Sequence, residues 1–106
     1  METIEQLKTD FLYNVAKYAE GLKDGSGKKV NRFQKKIINI HKRSIELKCD
    51  NLFITFLDSK DEYVKYWAAI LCEEKYPNIV KNAYRDLQKS SEPIISLSAR
   101  EYLKHH

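Results

Sequence analysis

The residues in this chain equipped to act on a substrate are few and scattered. His41 is the one internal histidine, and it stands near Ile37, Ile38 and Ile45 at the edge of an apolar stripe. No serine, cysteine or carboxylate accompanies it at a spacing that would pair a nucleophile with its base, so nucleophilic catalysis finds no local support. Cys49 and Cys72 lie far apart, outside any CxxC pair, and no HxxxH or ExxH pattern offers a metal site. In a reducing compartment these two read as unbridged thiols. The "GSGKK" run at 25–29 has neither the spacing of a phosphate loop nor a strand before it. Asp58, Asp61, Glu62, Glu73 and Glu74 carry the groups of a general acid or base, but their positions suit solvated helix ends. Asp61 and Glu62 in particular fall where negative charge favours a helix N-terminus. The sequence therefore predicts no catalytic residue, no metal ligand and no cofactor. The closing His105 and His106 are either native or the start of a purification tag, and they receive no role.

Binding chemistry is better represented. Residues 1–22 carry two lysines against four acids, residues 23–50 nine Lys/Arg against three acids, and residues 51–106 eight of each. The net charge of +4 thus belongs to the middle segment. Within it, Lys28, Arg32, Lys35 or Lys36, Lys42 and Arg43 fall close to one side of a helix. Such a row is either a solvated face or a surface that concentrates an anionic partner. Nucleic acid is one such partner. Against it, the overall positive charge is modest and no groove-reading motif is present, so an acidic protein surface fits equally.

The elements that must place these residues read as helices. Glycine (three) and proline (two) are too scarce for a β-rich chain of 106 residues, which is sized for one domain. A first helix is predicted over 3–22, with Thr3 and Gln6 as a capping box and Ile4, Leu7, Phe11, Val15, Tyr18 and Leu22 as one stripe. Residues 23–29 read as a flexible loop. A second helix follows over 29–48, with Asn31 at its start and Val30, Phe33, Ile37, Ile40 or His41, and Ile45 as its buried stripe. A short third helix is predicted over 50–58, a fourth over 61–75, a fifth over 77–89 and a sixth over 92–104. Pro77 and Pro93 suit first turns, and Ser90 and Ser91 are cap candidates. The opening "METIEQLKTD" is charged from its second residue, and nothing later reaches membrane-spanning length, so a cytoplasmic, non-membrane protein is expected.

The fourth helix holds "EYVKYWAAIL" (62–71), in which eight of ten residues are apolar or aromatic. Val64, Trp67, Ala68 and Leu71 make one face. Tyr63, Tyr66 and Ile70 make a second stripe, which either packs on flanking helices or lines the inner surface of a curved solenoid and grips a partner. Tyrosine, apolar in body and polar at its tip, suits the second role. A weak repeat at an offset of 30 aligns Leu57 with Leu87, Glu62 with Glu92, Val64 with Ile94 and Ala69 with Ala99. A helix pair cannot hide its apolar face alone, and stacking the pairs would bury it.

Leu57, Asp58, Asp61, Val64, Lys65, Trp67, Ala68 and Ala69 together resemble a HEAT-like repeat, a leucine-rich helix followed by an acidic turn and a V-[KR]-x-x-A-A helix. Over residues 4–104 the chain is also similar to a family of short bacterial helical proteins classed as a domain of unknown function. "VNRF" (30–33) and "VKYWAA" (64–69) match its N-R and V-R-x-W-A-A motifs, with Lys65 where arginine is usual. Some members of that family look like immunity proteins encoded beside polymorphic toxins. The resemblance implies six helices in three stacked antiparallel pairs with HEAT-like curvature, and a protein-binding module with no enzymatic activity that blocks a toxin. The expected contact residues are Tyr63, Tyr66 and Ile70 as anchors, with Arg32, Lys35, Lys36 and Arg43 steering by charge. The alternative is a nucleic-acid-binding module using the basic face of the second helix.

Overall fold

The computed structural model describes residues 3–106, and every regular element among them is helical, as the composition predicts. In order they are α1 (Ile4–Asp24), α2 (Gly27–Glu46), a 3₁₀ segment (Asp50–Asp58), α3 (Glu62–Cys72), α4 (Pro77–Leu87) and α5 (Pro93–His105). The chain divides into two compact units, one ending at Leu52 and the other beginning at Phe53.

In the first unit α1 and α2 pack against each other. The capping box forms as read: the Gln6 N–H donates to Thr3 Oγ1 at 3.1 Å and the Thr3 N–H donates to Gln6 Oε1 at 2.9 Å. Leu7, Phe11, Val15 and Tyr18 are buried, while Ile4 lies outside the core. The junction differs from the sequence reading. The expected loop over 23–29 closes to Gly25 and Ser26, because two caps meet there. Gly25 adopts φ 69°, a left-handed conformation that a side chain resists, and ends α1. The Ser26 N–H reaches back to the Gly21 carbonyl at 2.9 Å. Ser26 Oγ then accepts from the Lys29 N–H at 3.2 Å and starts α2. Asn31, expected at the helix start, is therefore an exposed residue of the second turn. Gly21 permits the close approach of the two helices, since a Cβ there would sit 3.0 Å from Val30 Cγ2 and 3.1 Å from the Val30 nitrogen.

The inner face of α2 is Phe33, Ile37, Ile40 and Ser44. Ile45, expected in that stripe, is exposed, and the fully buried position belongs to Ser44. Its hydroxyl donates to the His41 carbonyl at 2.6 Å, so the helix itself satisfies the buried oxygen. Lys48 takes φ 57° past the end of α2, where the Cys49 N–H returns to the Ser44 carbonyl at 2.9 Å.

The second unit holds most of the 3₁₀ segment and α3 to α5, with α3 packed on α4 and α4 on α5. Aromatic and β-branched residues such as Phe53, Ile54, Thr55 and Phe56 are weak α-helix formers, consistent with the tighter winding there. Asp61 caps α3, its Oδ1 accepting from the Tyr63 and Val64 N–H groups at 2.9 and 3.3 Å. Pro77 and Pro93 occupy the first turns of α4 and α5. Ser90 and Ser91 do not take the capping position of α5, which falls to Glu92. Ser90 instead donates to Glu62 at 2.7 Å and accepts from the Glu92 N–H at 3.0 Å. Ala68, Ala69 and Ala99 are fully buried, as are Phe53, Val80 and Ile95. Ile94, aligned with Val64 by the repeat, is exposed.

Tyr84 is the buried polar centre of this unit. Its hydroxyl donates to Glu73 at 2.6 Å, and its ring stacks on Tyr102 at 4.2 Å. Burial, and then the Glu73 bond, pushes its ionisation far above the ordinary tyrosine range. Burial likewise raises Tyr102 and Tyr63, the latter helped by Glu92. The folded chain thus holds phenolic protons that the unfolded chain releases near pH 10. The stability this contributes is complete below pH 10 and is lost as the pH rises beyond it. In an alkaline titration, the tyrosinate absorbance of Tyr84 is expected only with loss of helical ellipticity. Ionisation of all seven tyrosines near pH 10 in a chain that stays helical would refute this.

Candidate functional site

The cations of α2 do not share one environment. Arg43 lies 3.7 Å from Asp10, and Lys29 meets Glu20 and Asp24 at 3.3 and 3.5 Å. Glu20 also takes Lys17 at 3.2 Å, and these bonds, Lys17 first, hold its carboxyl below the usual carboxylate range. Among the described residues, Lys28, Arg32, Lys35 and Lys36 have no ion-pair partner. All four are exposed. Arg32 and Lys36 flank the Phe33 ring, each 5.3 Å from its centroid. Lys28, Arg32 and Lys36 are four residues apart, a row spanning about 12 Å along the axis at the α-helical rise.

That row borders two open grooves between α1 and α2. The larger, 640 Å³, is lined by Lys17, Lys28, Lys29, Arg32 and Phe33. The smaller, 380 Å³, is lined by Asp10, Asn14, Lys36, Asn39 and Arg43. Tyr13 lines both. It is 58% exposed, and Lys17 Nζ lies 5.7 Å from its ring centroid. Sequence reasoning missed Tyr13. Its signal was an aromatic residue just off the α1 stripe, beside the α2 cations once the helices pair.

The predicted aromatic contacts sit elsewhere. Tyr63 is half-buried on α3 and donates to Glu92 Oε2 at 3.2 Å. Tyr66 is 7% exposed, with its ring edge-on to Trp67 and its hydroxyl 3.2 Å from Ser98 Oγ. Ile70 is half-buried. The second unit thus engages both tyrosines through α5 and the residue that caps it. Lys65 pairs with Asp86 on α4 at 3.0 Å. Arg32, Lys35, Lys36 and Arg43 belong to the first unit and the aromatic stripe to the second.

Among the described residues no cluster of three metal-ligating side chains forms, and no helix is long and apolar enough to cross a membrane. What these features define is an all-helical chain with one cationic helix flank beside an exposed aromatic. No protein-family model, curated protein or solved structure gives a significant match to the chain.

Proposed function

We propose that this chain is a non-enzymatic protein-binding module that meets an acidic partner surface through the exposed flank of α2. The observation that carries the reading is the set of unpaired cations, Lys28, Arg32, Lys35 and Lys36, beside an open groove with an exposed tyrosine. Exposed charges of this kind accelerate encounter and select partners, and arginine and aromatic residues anchor them. The resemblance gives the reading its concrete form, a cytoplasmic immunity protein that covers a toxin domain. Its architecture would be three antiparallel helix pairs of a HEAT-like superhelix. In the second unit, the Tyr63–Glu92 and Glu62–Ser90 bonds join residues about one repeat apart, which supports that arrangement. Tyr63 and Ile70, half-buried, keep only part of their surface for such a contact, and Tyr66 almost none.

The test starts from the neighbouring genes, among which a toxin domain is expected, and co-expresses that domain with the chain. The parent chain is expected to relieve toxicity and bind the domain. The Arg32→Glu, Lys35→Glu, Lys36→Glu variant should bind at least about tenfold more weakly, with the loss concentrated in the association rate at low salt. Toxicity that the parent chain does not relieve, or binding indifferent to these charges, would defeat the reading. The row Lys28, Arg32, Lys36 also favours a second reading, binding of nucleic acid. That affinity would fall steeply with added salt as counterions are released, and absence of DNA or RNA binding at low salt removes it.

A further inference from the structure

Two grooves on the first unit share one exposed aromatic, Tyr13, which lines both. Resting on the proposed function, we infer that these grooves receive an acidic segment of a partner protein that crosses Tyr13, with one aromatic side chain of that segment placed on the Tyr13 ring. The charge pattern selects this occupant. The α2 wall offers unpaired cations at Lys28, Arg32 and Lys36, about 6 Å apart at the α-helical rise. The α1 wall differs: the smaller groove has the carboxylate of Asp10, 3.7 Å from Arg43, beside the uncharged Tyr13 and Asn14, and the larger has Tyr13 and Lys17. A phosphate backbone laid along both grooves would carry unbroken negative charge past Asp10. A polypeptide can instead place its acids opposite α2 and uncharged residues opposite α1. Tyr13 then supplies the anchor, since its ring is open to solvent while the neighbouring Phe33 is buried.

The probes are a short fluorescent glutamate-rich peptide with one central tryptophan, the same peptide with alanine in place of that tryptophan, and an oligothymidylate of equal length. Binding to the full chain is followed by fluorescence anisotropy at low salt. The tryptophan peptide is expected to bind best. Tyr13→Ala and the Arg32→Glu, Lys36→Glu variant should each weaken it by about tenfold, whereas Tyr13→Phe should bind like the parent. Removing the peptide tryptophan should cost affinity in the parent and little more in Tyr13→Ala, the signature of a direct contact. Tyr13 is exposed, so its replacement leaves the core intact, and an unchanged far-ultraviolet spectrum checks this. Tighter binding of the oligothymidylate, absence of peptide binding, or peptide affinity unchanged in Tyr13→Ala would each overturn the inference. A cognate toxin domain that loses affinity on reversal of the α2 charges but not in Tyr13→Ala would overturn this inference alone and leave the proposed function standing.

Discussion

Replacing Phe11 by alanine is expected to lower the unfolding free energy by about 4 kcal/mol. Phe11 is 0% exposed at the centre of the α1 stripe, between Leu7 and Val15, which are equally sealed. Alanine removes the whole ring. The loss combines the transfer of that apolar surface with the cavity left where α1 packs on α2. Close-packed interiors relax only partly into such a cavity. Against a total stability of about 5–15 kcal/mol for a natural domain, a loss of this size decides whether the chain is folded at body temperature. Urea denaturation followed by far-ultraviolet ellipticity measures it directly. Trp67, the sole tryptophan, reports the second unit, so its fluorescence tests whether both units share the loss. An unfolding free energy within about 1 kcal/mol of the parent at an unchanged denaturant slope would mean that the ring is not a core element.

Phe11 was legible in the sequence because everything that buries it is periodic. Leu7, Phe11, Val15 and Tyr18 recur every three or four residues, and one face of a helix is all that this pattern demands. Local chemistry was legible for the same reason. The Thr3–Gln6 box, the Asp61 cap and the two first-turn prolines involve only residues within one turn of each other. Where the reading failed, it followed hydrophobicity against angle. Ser44 lies seven residues, almost two full turns, beyond Ile37 and so directly over it, whereas Ile45 is rotated a further 100°. The serine was passed over because it is polar, yet its hydroxyl bonds within its own helix and can go inside. The α1–α2 junction failed differently. "DGSG" carries both a helix stop and a helix start, and reading its glycines as flexibility hid the fact that the stop at Gly25 adjoins the cap at Ser26.

The candidate site was half legible. A row of cations on one helix flank is a property of spacing, and Arg32, Lys35 and Lys36 are exposed as expected. Which of them keep their charge unpaired depends on Asp10, Glu20 and Asp24 arriving from α1, and that is a matter of helix pairing. Tyr13 became visible only in the same way. Its helix position shows that it leaves the core stripe, but only the packed pair shows that two grooves meet on it.

Tyr66 is the sharpest case, and its replacement by alanine should cost about 3 kcal/mol of stability. The side chain type does not decide its role, since a ring with a polar tip serves a protein interface and a core with a distant polar partner equally well. The partner here is Ser98, 32 residues along the chain, which no local pattern announces. Two variants separate the contributions. Tyr66→Phe keeps the packing against Trp67 and removes only the hydroxyl, so it should lose about 1 kcal/mol, the usual net worth of such a bond. Tyr66→Ala removes both, and the difference, about 2 kcal/mol, measures the ring. Thermal and urea unfolding of the pair give these numbers directly. The parent partner complex supplies the decisive comparison. If Tyr66→Phe binds as the parent does and Tyr66→Ala loses affinity only in proportion to its unfolded fraction, the stripe acts by holding α3 in place. If instead Tyr66→Ala remains as stable as the parent while the complex falls apart, the tyrosine meets the partner itself, and the contact surface extends to the second unit.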